Sequence, residues 1–453
     1  MTEPRAATQK PATNVDPGLT LCLSGGGFRA TLFHLGSLRR LNEFGVLANV
    51  KVITSVSGGS ILNGILATRW SKLQLDPQNV FTNFDEEVGS AVRAFCSRDL
   101  RTPLLLGTRL NLVNLPALIR DGGAVSGNFL ADKYEPIMQR QLLRDLPAPG
   151  PHTPRFVFCS TRVHTGACWH FHGGPDARMG DFYTGYCPVA DTKVSTAVAA
   201  SSAFPPGFGA LHLPIPDDVP LTRIDPWNDE RGLSVKRKPQ SNAEKRRVLL
   251  TDGGVYDNLG VEPVWERSRT LLVSDAGMPF GSVASAPQHA VGRLFRAFEI
   301  GAEQMGAVRK RWLVDRFAEN KQWTEMVAAY PALASDPRFK NKTGRSGTIW
   351  AINTQFYPRE TRGYGADLME LFSGIRTDLN SFNPGEIACL ENHGYALADA
   401  ALRKHGGALC PNAAQAFNWP HPDWADEQVA RNTLASSGER SILTDVWKML
   451  TGG

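Results

Sequence analysis

The chain opens with an alternation of strand-like and helix-like patterns. An apolar run at 19–24 ends in Gly25-Gly26-Gly27, and a helical pattern with leucines at spacing three follows it. A second run, Val50–Val56, is rich in β-branched residues and leads through Ser57-Gly58-Gly59 into another helical stretch. This order is typical of α/β folds with a mainly parallel sheet. We therefore predict a three-layer α/β fold in which helices flank a mainly parallel central sheet.

The composition is that of a globular protein with a sizeable core. Hydrophobic residues make up 42% of the 453 and charged residues 21%, which are ordinary values. The seven cysteines include no CxxC pair, which favours reduced thiols in a cytoplasmic protein. Neither a transmembrane run nor a secretory signal is expected, because no long apolar stretch is present. The net charge of +5 fits an anionic membrane surface or general solubility equally well.

We expect one large α/β domain with insertions and tails. The apolar stretch 103–119 lies in the first insertion and is read as a core helix pair, with a lid or acyl-chain wall as the alternative. The second insertion is polar and basic, and we interpret it as a surface excursion. The expected segments are a flexible N-terminus at 1–18, the domain at 19–410 with insertions at about 71–150 and 214–247, and a C-terminal extension at 411–453.

Further elements follow from local patterns. The stretch Asn383-Pro384-Gly385-Glu386 has the N-cap, the proline and the glutamate of a helix start. The remaining predicted elements are a strand at 155–161 with a hairpin partner at 168–172, helices at 194–202, 288–316 and 384–405, and strands at 248–251, 270–274 and 348–356.

Ser57 occupies the place of a nucleophile elbow. It follows a β-branched run and precedes a helix start, where a sharp turn lifts a serine hydroxyl off the sheet. The pattern is S-x-S-x-G, with Ser55 and Gly59 as the small neighbours. The helix that begins here also favours negative charge near its first amides. A serine that merely caps a helix would look the same in isolation.

The first glycine cluster has two interpretations. Three glycines leave amides free to hold the oxyanion of an acyl-transfer reaction, and Arg29 could then anchor a phosphate or carboxylate, or brace the loop. Alternatively, Gly25-x-Gly27-x-x-Ala30 fits a dinucleotide-binding fingerprint. That fold requires an acidic residue at the end of the second strand, and here Ser57-Gly58-Gly59 stands there instead.

Asp252 is the candidate partner of the serine. In Thr251-Asp252-Gly253-Gly254 it ends a predicted strand, which we take to be parallel, so its carboxylate would reach the carboxyl edge of the sheet. An ordinary Asp-Gly turn is the alternative. His34, on the first helix, is read as a packing residue, and neither His393 nor His405 offers a triad position. We therefore favour a Ser–Asp pair, and no cluster has metal-ligand spacing.

In this order the motifs resemble the patatin-like phospholipase family, which has a glycine-rich oxyanion loop, a serine elbow and a DG[GA] motif. The matching residues are Gly25-Gly26-Gly27-Phe28-Arg29, Ser55-Val56-Ser57-Gly58-Gly59 and Asp252-Gly253-Gly254. Softer similarities lie in Ala200–Pro205 and in the run that continues to Asn258. This sequence departs from the family in having Ser55 where glycine is usual.

The resemblance implies hydrolysis of acyl esters of phospholipids or related lipids by a Ser57–Asp252 dyad through an acyl-enzyme. It further implies that amides of Gly25, Gly26 and Gly27 form the oxyanion hole, and that no metal or other cofactor is needed. The expected partners are a lipid substrate and, peripherally, a membrane; an oligomer is allowed and nucleic acid is not expected. A nucleotide-signal-activated, membrane-degrading effector remains an alternative, with the basic segment 231–247 as its ligand site or oligomer surface.

Overall fold

The computed structural model describes residues 16–100, 124–189, 191–205, 209–222, 241–265, 267–277, 290–339, 344–354, 362–435 and 437. Several predictions fall outside these residues. They include most of the flexible N-terminus, the apolar stretch 103–119, the greater part of the basic segment and the end of the C-terminal extension.

The described strands form one ten-stranded sheet in the order β10-β9-β1-β2-β3-β4-β5-β6, and β8 joins β3 to β7. From β10 to β3 neighbouring strands are parallel, whereas the remaining pairs are antiparallel. The strands are β1 Asp16–Leu23, β2 Val50–Val56, β3 Arg155–Arg162, β4 Ala167–His172, β5 Arg178–Asp181, β6 Gly185–Pro188, β7 Leu211–Pro214, β8 Arg247–Asp252, β9 Ser268–Asp275 and β10 Ser346–Ala351.

Helices lie on both faces of this sheet and complete the three predicted layers. They are α1 Gly27–Glu43, α2 Gly58–Arg69, α3 Ser90–Cys96, α4 Ala124–Tyr134, α5 Val194–Ser202, α6 Asn242–Arg246, α7 Gly254–Asp257, α8 Ala290–Ala329, α9 Met369–Gly374, α10 Pro384–His405 and α11 Glu427–Ala435. Within the described part of the chain, no helix is both long and apolar enough to cross a bilayer.

The alternation of side chains along β1 separates two cores. Leu19, Leu21 and Leu23 point into the larger core, which α1, α2 and α10 cover. Cys22 points to the other face, where it joins a smaller cluster that includes Leu313 of α8. Successive strand residues face opposite sides of a sheet, so one short strand contributes to both outer layers.

Helices α1 and α10 pack with their backbones in close approach. A Cβ atom at Gly36 would lie 1.9 Å from the carbonyl oxygen of Glu391, and one at Gly394 would lie 1.8 Å from that of Phe33. Only glycine fits at either position, and the crossing holds α1 against the sheet. At the start of α10 the predicted capping box is confirmed, with Asn383 and Glu386 bonding each other's backbone amides.

The predicted helices 194–202 and 384–405 are confirmed with the same bounds. Strands β3, β4, β8 and β9 differ from the predicted bounds by one or two residues, and three elements differ in other ways. Strand β1 begins at Asp16, inside the segment expected to be flexible. Helix α8 runs to Ala329 rather than ending near 316, because neither glycine nor proline occurs between 316 and Pro331. Strand β10 spans Ser346–Ala351, so it starts and ends earlier than the predicted 348–356.

Candidate active site

Ser57 sits on a sharp turn between β2 and α2. Its backbone angles are φ 50° and ψ −118°, a region that non-glycine residues rarely occupy and that stores strain. Its amide donates to the Ser201 hydroxyl over 3.0 Å, and the residue is only 9% exposed. This is the geometry of a nucleophile elbow.

The two glycines after the serine allow the elbow to rest directly on the glycine loop. A Cβ at Gly58 would lie 2.0 Å from the Gly27 carbonyl oxygen, and one at Gly59 would lie 2.5 Å from that of Leu23. The amide of Gly59 also donates to the Ser24 carbonyl. The end of β1 and the end of β2 are therefore joined backbone to backbone, next to Ser57.

A buried hydroxyl network lies behind the elbow. Ser60 Oγ contacts Ser55 Oγ at 2.9 Å and Ser201 Oγ at 2.8 Å. Asn63 Nδ2 donates to Ser55 Oγ, and Ser201 donates to the Cys159 carbonyl at 2.6 Å. The hydroxyl of Ser55 thus links β2 to α2. Sequence reasoning missed this network, because Ser201 is remote from the elbow in the chain.

Asp252 reaches the serine by a route that the sequence did not predict. Strand β8 is antiparallel to β3 and places Asp252 opposite Ser160, so the expected parallel strand is wrong. Strand β2 pairs with β3 only as far as Val56 opposite Cys159, and β4 occupies the other edge of β3. Strands β2 and β8 therefore run toward each other along one edge of β3, and Ser57 and Asp252 meet where they end.

The carboxyl group of Asp252 is 1% exposed. Its Oδ1 accepts from the Gly254 amide at 2.7 Å, while Oδ2 has no donor in full hydrogen-bonding geometry among the described residues. Burial raises the pKa of Asp252 to about 7, and the neighbouring Ser57 hydroxyl and the Gly254 amide lower it by less. A poorly solvated carboxylate of this kind is a stronger base than an exposed one.

The backbone amides of the glycine loop differ in whether they have a hydrogen-bond acceptor among the described residues. The amide of Gly25 donates to the Asn258 carbonyl at 3.1 Å, so it is already used. The amides of Gly26, Gly27 and Gly58 find no acceptor in the described part of the chain; the latter two open helices, where first-turn amides lack intrahelical partners. Gly26 and Gly27 have positive φ values of 140° and 57°. The Gly25 backbone lies close to Ser57, since a Cβ there would be 3.0 Å from the serine Cβ.

The start of helix α1 packs against the backbone of residues 377 and 378. The Phe28 amide donates to the Asp378 carbonyl, and a Cβ at Gly27 would lie 2.2 Å from the Thr377 carbonyl oxygen. The pyrophosphate of a dinucleotide would have to occupy this place. The geometry therefore gives no support to the dinucleotide-binding alternative.

Arg29 is fully buried and directed away from the serine site. Its guanidinium donates to the carbonyls of Ser373, Ile375 and Ala276 over 2.8–2.9 Å. Two backbone segments, 373–375 and the residue that follows β9, are thus tied to α1 through one side chain. Of the two predicted roles for Arg29, loop bracing fits this environment and substrate anchoring does not.

Two of the buried histidines, His34 and His393, are held by structural contacts. His34 contacts the Ser24 carbonyl through Nε2 and Ser274 Oγ through Nδ1. His393 contacts the Ile352 carbonyl and stacks on Phe372. Burial lowers the pKa of each to about 4, so both are neutral at pH 7. His34 also fixes the residue that precedes the glycine loop.

Asn258 is a site residue that sequence reasoning did not single out. Its Oδ1 lies 2.3 Å from the place of a Cβ at Gly25 and 2.6 Å from one at Gly254, and its Nδ2 lies 2.7 Å from one at Gly277. Three glycines thus make room for one half-buried amide beside both catalytic candidates. The signal was present in the run D-G-G-x-x-x-N, which places the asparagine one short helix after Asp252.

These groups suit acyl transfer: a strained serine, a buried carboxyl of raised pKa, and unoccupied amides around them. Among the described residues, no group of three histidine, cysteine or acidic side chains is arranged to hold a metal ion.

No curated protein matches the sequence. Similar solved structures include human GIVD cytosolic phospholipase A2, at 13% identity and TM-score 0.37, covering 60% of this chain and 50% of that one. The same human protein with methyl γ-linolenyl fluorophosphonate matches at 12% identity and TM-score 0.45, covering 94% and 60%. VipD from Legionella pneumophila matches at 15% identity and TM-score 0.31, covering 87% and 67%. The chain thus spans about half to two thirds of these proteins, and a likeness at this level carries no information on activity.

The family comparison is of a different kind. The model of the patatin-like phospholipase family matches residues 21–265, which is more than half of the chain and includes the glycine loop, Ser57 and Asp252. The chain belongs to the patatin-like phospholipase family.

Proposed function

We propose that this chain is a serine-dependent lipid acyl hydrolase of the phospholipase A or lysophospholipase type, with Ser57 as nucleophile and Asp252 as its base. Membership of the patatin-like phospholipase family supports lipid acyl hydrolase activity. One observation carries the finer assignment: where β2 and β8 meet, a strained serine faces a buried carboxyl whose pKa is raised to about 7. A base with a pKa near the working pH is well matched to proton transfer.

In the acylation step, Ser57 Oγ forms a bond to the carbonyl carbon of the ester and its proton passes to Asp252. The carbonyl oxygen gains an electron pair and accepts hydrogen bonds from the amides of Gly26 and Gly27, with the Gly58 amide as a further donor. Collapse of the tetrahedral intermediate breaks the bond to the alcohol. Asp252 then gives its proton to the leaving alkoxide, and the acyl group remains on Ser57.

Deacylation repeats these steps with water. Asp252 takes a proton from the water molecule as its oxygen attacks the acyl carbon. The second tetrahedral intermediate collapses, the fatty acid leaves, and the proton returns to Ser57. Because a carboxylate alone serves as the base, no histidine is required, which agrees with the neutral and structurally bonded His34 and His393.

A fluorophosphonate probe, followed by mass spectrometry of the labelled peptide, tests this assignment. We expect labelling at Ser57 in the native protein and none in Ser57→Ala. The control is Ser202→Ala, which removes another buried hydroxyl on α5 that bonds to the Val198 carbonyl and should label normally. Labelling at another residue, or hydrolysis of lipid esters by folded Ser57→Ala, would contradict the proposal.

No observation in the described part of the chain favours the nucleotide-activated effector. Residues 231–240 of its basic segment lie outside the described residues. Arg246, which the structure does describe, donates to the carbonyls of Pro216 and Val219. Its guanidinium therefore bonds to another part of the same insertion. Probe labelling that requires an added cyclic nucleotide would bring this alternative forward.

A further inference from the structure

The outward face of α8 carries a stripe of apolar residues. Leu294, Met305, Val308 and Trp312 are 72%, 53%, 52% and 43% exposed. With Gly301, these positions recur every three or four residues except for one longer step, and so fall on one side of the helix. We call Leu294, Gly301, Met305, Val308 and Trp312 the outer stripe.

Contacts on other sides of α8 hold this stripe outward. Leu313 is buried in the smaller core. Lys310 pairs with Asp275 at 2.5 Å, and Arg309 pairs with Glu262 at 2.9 Å. Asp275 ends β9 and is itself buried. Because these contacts fix the rotation of the helix about its axis, the outer stripe is a stable surface.

The stripe continues to the rim of the candidate active site. Phe204 is 46% exposed, and its ring centroid lies 6.2 Å from that of Phe298 on α8. Phe204 follows Ala203, whose carbonyl accepts from the amide of Asp252 at 3.0 Å. Phe204 and Phe298 therefore link the backbone next to the proposed catalytic carboxyl to the side of α8 that carries the outer stripe.

Exposed arginines border the stripe. Arg293 and Arg311 are both exposed and are separated by eighteen residues, which is five helical turns and places them along the same edge. An apolar face with tryptophan and leucine, bordered by basic side chains, is the composition of helices that lie in a membrane interface. Basic residues at such an edge are attracted to anionic head groups.

We propose that the outer stripe and Phe204 dock on an anionic lipid surface and so place the mouth of the Ser57 site against it. This inference rests on the proposed function, because a substrate drawn from a lipid layer must enter at the docked rim. A second copy of the chain seated on the same surface would instead cover Phe204 and obstruct that rim.

Vesicle sedimentation tests the docking. The native chain should bind vesicles of phosphatidylcholine and phosphatidylglycerol more strongly than vesicles of phosphatidylcholine alone. Met305→Glu places a charge in the middle of the stripe, and we expect the partition coefficient to fall at least about tenfold. The control is Val429→Glu, which introduces the same charge at a 41% exposed apolar residue of α11 and should bind as the native chain does. Arg311→Gln should lower binding to the anionic vesicles by roughly fivefold.

Two further measurements separate docking from catalysis. Ser57→Ala should bind vesicles like the native chain, and Met305→Glu should hydrolyse a short soluble ester at the native rate while losing vesicle hydrolysis. If no variant hydrolyses any ester, the proposed function fails, yet the binding measurements still decide the docking. Native binding by Met305→Glu would overturn the inference. The inference would also be overturned if sedimentation equilibrium showed that the native chain is a dimer and that Met305→Glu dissociates it, while vesicle binding stays unchanged.

Discussion

The end of β2 and the end of β8 meet on the same edge of β3, but their polar groups differ in how fully they are hydrogen-bonded. At the end of β2, the Ser57 amide, Ser201 and Ser60 all have hydrogen-bond partners. At the end of β8, one carboxylate oxygen of Asp252 is buried without a well-placed donor among the residues that the structure describes. Backbone geometry and hydrogen bonds thus position the proposed nucleophile, whereas poor solvation raises the pKa of the proposed base.

Each arrangement has a cost in stability. A non-glycine residue held at an unusual φ costs on the order of 1–3 kcal/mol, which the surrounding bonds must offset. A buried carboxylate with a raised pKa destabilises the folded state wherever it is ionised. Neither feature would be expected at a position selected for stability alone.

Removing the charge at the end of β8 should have the largest effect. In Asp252→Asn the amide cannot accept the serine proton, so we expect ester hydrolysis to fall by roughly 10⁴-fold. The same substitution removes a poorly solvated charge, so the free energy of unfolding above pH 7 should rise by as much as roughly 4 kcal/mol. Kinetics on a soluble ester and urea unfolding measure the two effects.

A matched substitution sharpens this prediction. Asp275 ends the nearby strand β9 and is also buried, but burial is outweighed there by Lys310, which lowers the pKa of Asp275. Asp275→Asn should therefore reduce the free energy of unfolding, opposite in sign to Asp252→Asn. Equal signs would show that the two carboxyl groups do not differ as described.

The pH dependence should reveal the same carboxyl group. Asp252 acts as a base only when ionised, so kcat/KM should fall about tenfold per pH unit below a midpoint near 7. In the unfolded chain this group ionises near 3.8. Between about pH 4 and 7 the native state thus keeps a proton that the unfolded state has lost, and its contribution to stability falls as pH rises. If the difference in the free energy of unfolding between the native chain and Asp252→Asn does not change across this pH range, the assignment is contradicted.

At the end of β2, loss of one supporting hydroxyl should have a smaller effect. Ser201→Ala leaves the Ser57 amide without its acceptor and should lower kcat by about tenfold, because a misplaced nucleophile loses its alignment. Ser202→Ala, on the same helix, should leave kcat nearly unchanged, although both variants lose about 1 kcal/mol of stability. A similar kcat for the two variants would mean that Ser201 does not position the elbow.

The smallest effect is expected at Ser55. Ser55→Ala removes an acceptor of Ser60 and Asn63 but leaves the bond from Ser201 to the Cys159 carbonyl intact. We expect a loss of about 1–2 kcal/mol in the free energy of unfolding and a change in kcat of less than about threefold. A loss of activity as large as that of Ser201→Ala would place Ser55 in the alignment of the nucleophile.

Local patterns predicted much of the Ser57 side of the site. The strand, the glycine loop, the first helix and the elbow are consecutive in the chain, so their order alone predicts how they meet. The direction of the strand that carries Asp252 was less predictable. A strand that ends in Asp-Gly-Gly has the same local sequence in either direction, and only its pairing with Ser160 shows that β8 is antiparallel.

Long-range contacts explain the other differences. Arg29 was open to two roles from the sequence, because the carbonyls that bind it belong to residues 276, 373 and 375. The outer stripe of α8 was also not foreseen, since a helical repeat does not tell which apolar side will be covered. Such assignments depend on the neighbours that folding brings together.

The end-to-end meeting of β2 and β8 also affects when the protein becomes active. Ser57 lies near the start and Asp252 near the end of the segment 21–265 that matches the family. The elbow can form while the chain is still being synthesised, but its base arrives only after β7 and β8 have been made and have docked on three residues of β3. A nascent or partly folded chain therefore lacks the proposed dyad until β8 has paired with β3.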